Sequence, residues 1–169
     1  VRWPGRVSAG RIIEDVVNAM DLYPTIAGWC EVDVPDDRTL DGRDLGNLLY
    51  GGDGPEEAPF FFMLGGNVEA VRFGRWKLHV RKWNKERVRL YDLVDDIGER
   101  HDLVDEHPEV VAELLALISA ARLEFGDDAS EMAGSGVRPV GRVSDPITLT
   151  TFDEDAPYYM AEYDLAERG

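Results

Sequence analysis

Glu69-Ala70-Val71-Arg72-Phe73-Gly74-Arg75-Trp76-Lys77-Leu78-His79-Val80-Arg81 is the stretch that decides the fold. Two runs rich in β-branched and aromatic residues flank Gly74-Arg75 at the spacing of a tight hairpin, so 69–73 and 76–81 are read as paired antiparallel strands. Along the second run Trp76, Leu78 and Val80 fall on one face, while Lys77 and His79 share the other. Working outward, 60–64 and 88–93 have the same aromatic and β-branched character and complete a sheet of four strands. Beyond them, 107–125 is the best helix in the chain. Pro108 stands at its first position, and Val111, Leu114, Leu115, Ile118, Ala121 and Phe125 are read as one apolar stripe, with Gly126 as the stop. A sheet and one amphipathic helix each have an apolar face to hide, and laying one on the other hides both. The expected fold class is α+β.

Toward the N-terminus the pattern is less regular. Gly51-Gly52-Asp53-Gly54-Pro55 is the clearest linker. Before it, 22–30 is read as a short helix with Asp21 as N-cap and Pro24 inside the first turn, where a missing N–H costs nothing. A polar loop over 33–44 follows, then one more helical turn over 45–50. Toward the C-terminus, 127–169 carries ten acidic and three basic residues. Its anchors Ile147, Leu149, Phe152, Tyr158, Tyr159, Met160 and Tyr163 are too many for a free linker, so this extension is expected to wrap a surface or to join a second copy of the chain. The division is therefore 1–54, 55–126 and an acidic extension over 127–169.

The 169 residues carry a net charge of −16. That charge repels phosphate backbones and anionic lipid, which argues against nucleic acid or a membrane surface as partner. The longest apolar stretches, 60–64 and 114–118, fall far short of the roughly 20 residues a membrane span needs. Cys30 is the only cysteine, so the chain has no internal disulfide, and with three scattered histidines it makes no structural zinc site. Of the 18 basic residues only Lys77, Lys82 and Lys85 are lysines. Abundant acid with few lysines suits a protein working at high salt, and a GC-rich genome would bias the composition the same way. The opening Val1-Arg2-Trp3-Pro4-Gly5 has neither an initiator Met nor an apolar leader, so the chain reads as a fragment.

Several motifs recur in a fixed order: Val1-Arg2-Trp3-Pro4-Gly5 with Ala9-Gly10, Met20-Asp21-Leu22-Tyr23-Pro24-Thr25, and Leu40-Asp41-Gly42-Arg43-Asp44-Leu45. After these come Ala70-Val71-Arg72-Phe73-Gly74-Arg75-Trp76-Lys77-Leu78, Leu90-Tyr91-Asp92-Leu93, Asp96-Ile97-Gly98-Glu99-Arg100 and His107-Pro108-Glu109. Over about residues 1–126 this series resembles the C-terminal part of the sulfatases, members of the alkaline-phosphatase-like superfamily. The resemblance implies a hydrolase of sulfate esters whose nucleophile is a formylglycine made from Cys or Ser in a Cys/Ser-x-Pro/Ala-x-Arg signature, with a carboxylate-bound calcium ion. Such chemistry needs a dication and fixed cations because negative charge develops on both the attacking and the leaving group. Cys30 is followed by Glu31, Val32, Asp33 and Val34, which lacks that signature, so no catalytic residue and no metal ligand is assigned in this chain.

His79 and Arg72 are the candidate substrate-binding residues. His79 lies in a Lys-x-His run that several arylsulfatases bring to the rim of the pocket, where an imidazole can hydrogen-bond a sulfate or leaving-group oxygen. Its plain alternative is a solvent-facing strand residue beside Lys77. Arg72 offers a guanidinium fork that matches a pair of sulfate oxygens, and its plain alternative is an ion pair with an acid across the sheet. His101 and His107 receive no role. Asp37, Asp41 and Gly42 match positions of a calcium loop, but Thr39 and Leu48 stand where further ligands belong. Asp95, Asp96, Glu99 and Arg100 are read as a solvated acidic turn.

The expected function is thus the C-terminal portion of a sulfatase, inert by itself, with calcium and formylglycine elsewhere in the full-length protein and a sulfate ester as substrate. Two alternatives stay open: a non-catalytic packing or oligomerisation module, and the corresponding part of a phosphate or phosphonate monoester hydrolase.

Overall fold

The Phe73-Gly74-Arg75-Trp76 turn sets the register of the whole sheet. Phe73 pairs with Trp76 and Arg72 with Lys77, leaving a two-residue loop whose first member, Gly74, has φ +58° and so occupies a conformation that only glycine adopts without cost. In the computed structural model, which describes residues 1–138, 141, 142 and 144, four strands follow one another as an antiparallel meander. They are β1 (Phe60–Leu64), β2 (Asn67–Phe73), β3 (Trp76–Lys82) and β4 (Lys85–Asp92). The anchors Ile147 to Tyr163, on which the expected wrapping of the extension rests, lie outside the described residues.

β4 starts at Lys85, three residues before its expected position at 88, and pairs with β3 across a Trp83-Asn84 turn in which both residues have positive φ. Lys85, Glu86 and Arg87 are exposed, so this end of the hairpin is a solvated ribbon with no apolar pattern to reveal it. The outer edge of β4 is covered: the Leu103 N–H donates to the Leu90 carbonyl and the Leu90 N–H donates to Asp102 Oδ1.

The core lies between one face of the sheet and helix α3 (Pro108–Phe125), which crosses β2 and β3. Val68, Val71, Leu78, Val80 and Leu90 from the strands meet Leu114 and Ile118 from the helix, with Val110, Val111 and Leu117 at the margin. Here the expected stripe needs one correction. Leu115 is 38% exposed and Leu117 takes its place, because a 3.6-residue period passing through Leu114, Ile118 and Ala121 includes 117 and leaves 115 on the flank. At the helix end Phe125 packs edge-on against Phe61. Gly126 follows at φ +83°, where a Cβ would lie 2.9 Å from the Met132 carbonyl oxygen.

The chain then turns back onto the sheet. Asp127 is buried, accepts a hydrogen bond from the Val68 N–H at 3.0 Å, and binds Arg81 Nη1 with both carboxylate oxygens at 3.0 Å. Ser130 Oγ donates to it at 2.5 Å and Arg122 Nε lies 3.5 Å away. Burial pushes the Asp127 carboxyl up, but the hydrogen bonds from Ser130, Arg81 and Val68 with the nearby Arg122 charge outweigh that and hold it below the usual carboxylate range. The Asp128 N–H donates to the Gly66 carbonyl and the Ala129 N–H to Asn67 Oδ1, so the first residues of the acidic extension are tied to the β1–β2 turn.

The first fifty residues form helix α1 (Leu22–Trp29), preceded by a single 3₁₀ turn, and helix α2 (Gly46–Tyr50). Asp21 holds the N-cap position of α1, as expected, but its side chain makes no cap hydrogen bond to that helix. Asn18 caps the preceding 3₁₀ turn by accepting from the Met20 and Asp21 N–H groups, and Asp21 completes a capping box there by accepting from the Asn18 N–H at 2.9 Å. Fully buried, Asp21 also accepts from the Arg43 N–H, while Thr25 Oγ1 accepts from the Leu45 N–H; together they pin the 40–45 loop against α1. Leu22 and Ile26, at 50% and 51% exposed, have only part of an apolar residue's usual contacts, while Trp29 is half-buried.

Two outcomes follow for stability. Leu114→Ala should lower the unfolding free energy by about 2–5 kcal/mol, whereas Leu115→Ala should change it by no more than about 0.5–1 kcal/mol; urea denaturation of both variants measures this, and equal losses would contradict the period assigned to α3. Asp127→Ala strands Arg81 without its buried partner and should cost about 3–5 kcal/mol, read in the same way.

Candidate functional site

Strand alternation builds the site on the sheet face opposite α3. Two cross-strand rows run over it: Phe60, Arg72, Lys77 and Tyr91 in one, and Phe62, Ala70, His79 and Arg89 in the other. Both candidate residues therefore share a face, as diagonal neighbours on β2 and β3, and Lys77 lies directly across from Arg72 and two residues before His79 on its strand. The Lys77 ammonium sits 4.3 Å from the centre of the Phe62 ring, a cation–π contact, and the Tyr91 ring meets His79 edge-on at 5.8 Å.

The turn after β4 supplies the counter-charge. Asp96 Oδ2 accepts from the Arg100 and His101 N–H groups at 2.6 and 2.8 Å, which closes the loop around Gly98. Glu99 is held at φ +52°, a left-handed conformation that costs a non-glycine residue about 1 kcal/mol or more. Its carboxylate is shared: Lys77 Nζ donates to Oε1 at 2.5 Å, and His79 Nε2 lies 3.1 Å from Oε2. The expectation of a solvated acidic turn holds for Asp95 and Arg100, which are exposed, and is corrected for Glu99, which with both its partners is largely buried. His79 is likewise not a solvent-facing strand residue.

The charges set the protonation states. Burial and the Lys77 ammonium together outweigh Glu99 and hold the His79 imidazole below its ordinary value of 6.5. Burial raises the Glu99 carboxyl, but the hydrogen bond and charge of Lys77, with His79 beside it, bring it below its ordinary value. At neutral pH the group is an ammonium, a carboxylate and a neutral imidazole.

Arg72 sits differently. Opposite it stand Phe60 and Lys77, so the cross-sheet acid of its plain alternative is not there, and among the described residues it makes no ion pair. Its Nε donates only to the Gly74 carbonyl at 3.5 Å, and it lines a cleft of about 640 Å³ between β1 and the N-terminal segment, together with Phe60, Met20, Asp41 and Arg43. His101 is an exposed neighbour of Asp96, and His107 stands before α3 near Glu109. Asp37 is engaged by Arg38 at 2.6 Å, and among the described residues no three His, Cys, Asp or Glu side chains converge as a metal ion would require. Neither Glu99, read as part of a solvated turn, nor Tyr91, quoted only within a motif, is singled out as a site residue by sequence pattern. The Lys-x-His spacing was the available signal for Glu99, because two such groups on one buried face call for an acid nearby.

No family model matches the chain. Among curated proteins, the steryl-sulfatase of Mus musculus is 30% identical over 151 residues, covering 72% of this chain and 24% of its own. Arylsulfatase A of Bos taurus is 30% identical over 146 residues, covering 72% of this chain and 28% of its own. Among solved structures, Ps i-CgsB in complex with k-i-k-neocarrahexaose has a TM-score of 0.59 at 26% identity, over 70% of this chain and 27% of that one. Lys-x-His on a four-stranded sheet, followed by the Asp96–Arg100 turn, is thus found in a chain that belongs to the sulfatase family. It spans about a quarter of the length of these relatives.

The titration of His79 has a defined sign. Above about pH 6.5 the ring is neutral whether folded or unfolded and contributes nothing to pH dependence. Below that the unfolded chain takes up the proton first, so stability falls until the lower folded midpoint is passed. Glu99, with its depressed value, adds stability that is complete above its unfolded value and is lost as pH falls through the folded one. NMR titration should place the His79 midpoint below 6.5, and His79→Gln should flatten the stability profile between about pH 7 and 5. A midpoint at or above 6.5 would contradict this arrangement.

Proposed function

We propose that this chain is the C-terminal portion of a sulfatase that hydrolyses sulfate esters, with the nucleophile and the metal-binding carboxylates supplied by the rest of the polypeptide. One observation carries the reading: within a sulfatase-family chain, Arg72, Lys77 and His79 share one face of the sheet, and Arg72, which makes no ion pair among the described residues, lines a cleft whose walls also carry Arg43 and the carboxylates of Glu14, Asp15, Asp41 and Glu57. On this reading residues 1–54 complete the edge of a large α/β domain, 55–126 form the small antiparallel subdomain, and the sheet face is turned toward the ester.

The resemblance implies a calcium ion and a formylglycine; Cys30 does not fit the second, and the described residues do not fit the first. Cys30 lacks Pro or Ala at the second following position and Arg at the fourth, and no cluster of suitable ligands converges among the described residues. Their place is therefore assigned to the remainder of the protein. What this chain supplies is binding: Arg72 takes an anionic oxygen pair, and His79, set by Glu99, makes a directed hydrogen bond.

The whole polypeptide should turn over an aryl sulfate in the presence of calcium, while the 169-residue chain alone should not. In the whole protein, Arg72→Ala removes a hydrogen bond to a charged group, roughly 1.5–3 kcal/mol, or about ten- to a hundredfold in kcat/KM. On a sulfate ester whose alcohol portion carries hydroxyls, His79→Ala should cost on the order of tenfold. Turnover of an aryl phosphate with none of the sulfate, or an Arg72→Ala variant with kinetics equal to the parent, would overturn the assignment.

A further inference from the structure

We infer that Glu99 is a positioning residue that fixes the proton of His79 on Nε2 and leaves Nδ1 as a bare acceptor, so that this ring receives a hydroxyl of the ester's alcohol portion and not a sulfate oxygen. The ligand half of this inference rests on the reading given under Proposed function; the tautomer half stands on the geometry alone. An ionised carboxylate can only accept, so the 3.1 Å contact between Glu99 Oε2 and His79 Nε2 requires the hydrogen to be on Nε2. The second carboxylate oxygen is held by Lys77 Nζ at 2.5 Å, which prevents Glu99 from rotating away or taking up a proton. A neutral ring with hydrogen on Nε2 has its lone pair on Nδ1, and Nδ1 makes no hydrogen bond with any described residue.

The surroundings agree. The charged and titratable groups facing the ring are Lys77 and Lys82 from its own strand, Arg89 and Tyr91 from β4, and Glu99 from the turn. Burial and the lysines keep the ring neutral at physiological pH. A lone pair on a neutral imidazole repels the oxygens of a sulfate and attracts an O–H donor. The sulfate is therefore left to Arg72, one row away on the same face, and the pair of residues reads an anion and a neighbouring hydroxyl separately. A polyhydroxylated sulfate ester fits that division, and an aryl sulfate with no hydroxyl does not use the His79 arm.

The test is heteronuclear NMR of the His79 ring in the 169-residue chain, which needs no substrate. The expected result is a neutral ring with its hydrogen on Nε2, seen as a ring N–H that exchanges slowly with water. Glu99→Ala should lose that protected N–H and lower the His79 midpoint, because the carboxylate offsets the lysines. Glu99→Gln, which keeps the backbone turn and an acceptor oxygen, should retain the N–H and still lower the midpoint. Hydrogen on Nδ1 in the parent, or an N–H and a midpoint unmoved by both substitutions, overturns the assignment. In the whole enzyme, His79→Ala should reduce kcat/KM for a hydroxylated sulfate ester by about tenfold more than for an unsubstituted aryl sulfate. Equal losses on the two esters would overturn the hydroxyl assignment while leaving the sulfatase reading intact.

Discussion

The buried carboxylate of Asp127 is the constraint on which the rest of the domain depends. It lies where α3 ends, yet it accepts from the Val68 backbone on β2, from the Arg81 side chain on β3 and from Ser130 in its own loop. A carboxylate without water must find partners for both oxygens, and here those partners belong to three separate parts of the chain. The apolar contact between α3 and the sheet supplies most of the attraction but little direction, because Leu and Val side chains tolerate sliding and rotation. Asp127 removes that freedom by requiring one register between helix end and strand.

That fixed register bears on the opposite face. With α3 covering Leu78 and Val80, the alternating residues Lys77 and His79 must face away from the helix. The β4 end then has to deliver something to them, and the turn closed by Asp96 brings Glu99 back over the strand. Asp127 and Glu99 both come from segments that follow the sheet in sequence, whereas the buried Asp92 lies on β4 itself and is paired with Arg75 of the β2–β3 turn. For Asp127 and Glu99 the strands provide the cations and the later segments the anions, which is why neither group can form until the chain has folded past it.

Much of this architecture was readable from residue pattern. The two-residue loop at Gly74-Arg75, the strand positions and the helix starting at Pro108 all carry local signals, since turn geometry and alternating hydrophobicity depend on near neighbours. The choice between Leu115 and Leu117 was not legible, because both are leucines within the apolar arc and only the position of β2 and β3 decides between them. The charged start of β4 was hidden for a related reason: Lys85, Glu86 and Arg87 pair through their backbones and leave no pattern in their side chains. Asp21 stands at the N-cap position of α1, but its carboxylate is drawn back to Asn18 and across to Arg43, contacts that no local pattern reveals. Of the candidate site, the shared face of Arg72 and His79 followed from alternation. Glu99 lies 20 residues from His79 and could be paired with it only once the turn had a shape.

The covering of β4 gives the sheet a direction. Leu103 and Asp102 occupy the free edge of that strand at Leu90, while β1, at the other end of the order, has no strand beyond it among the described residues. A further strand, whether from the remainder of the polypeptide or from another molecule, would meet Leu103 and Asp102 at the Leu90 end of β4, whereas Phe60–Leu64 has no strand pairing on its outer side among the described residues. The meander is thus closed where its last strand leaves for the helix and open where its first strand enters. Growth of the sheet beside β1 would meet the border that also forms one wall of the Arg72 cleft.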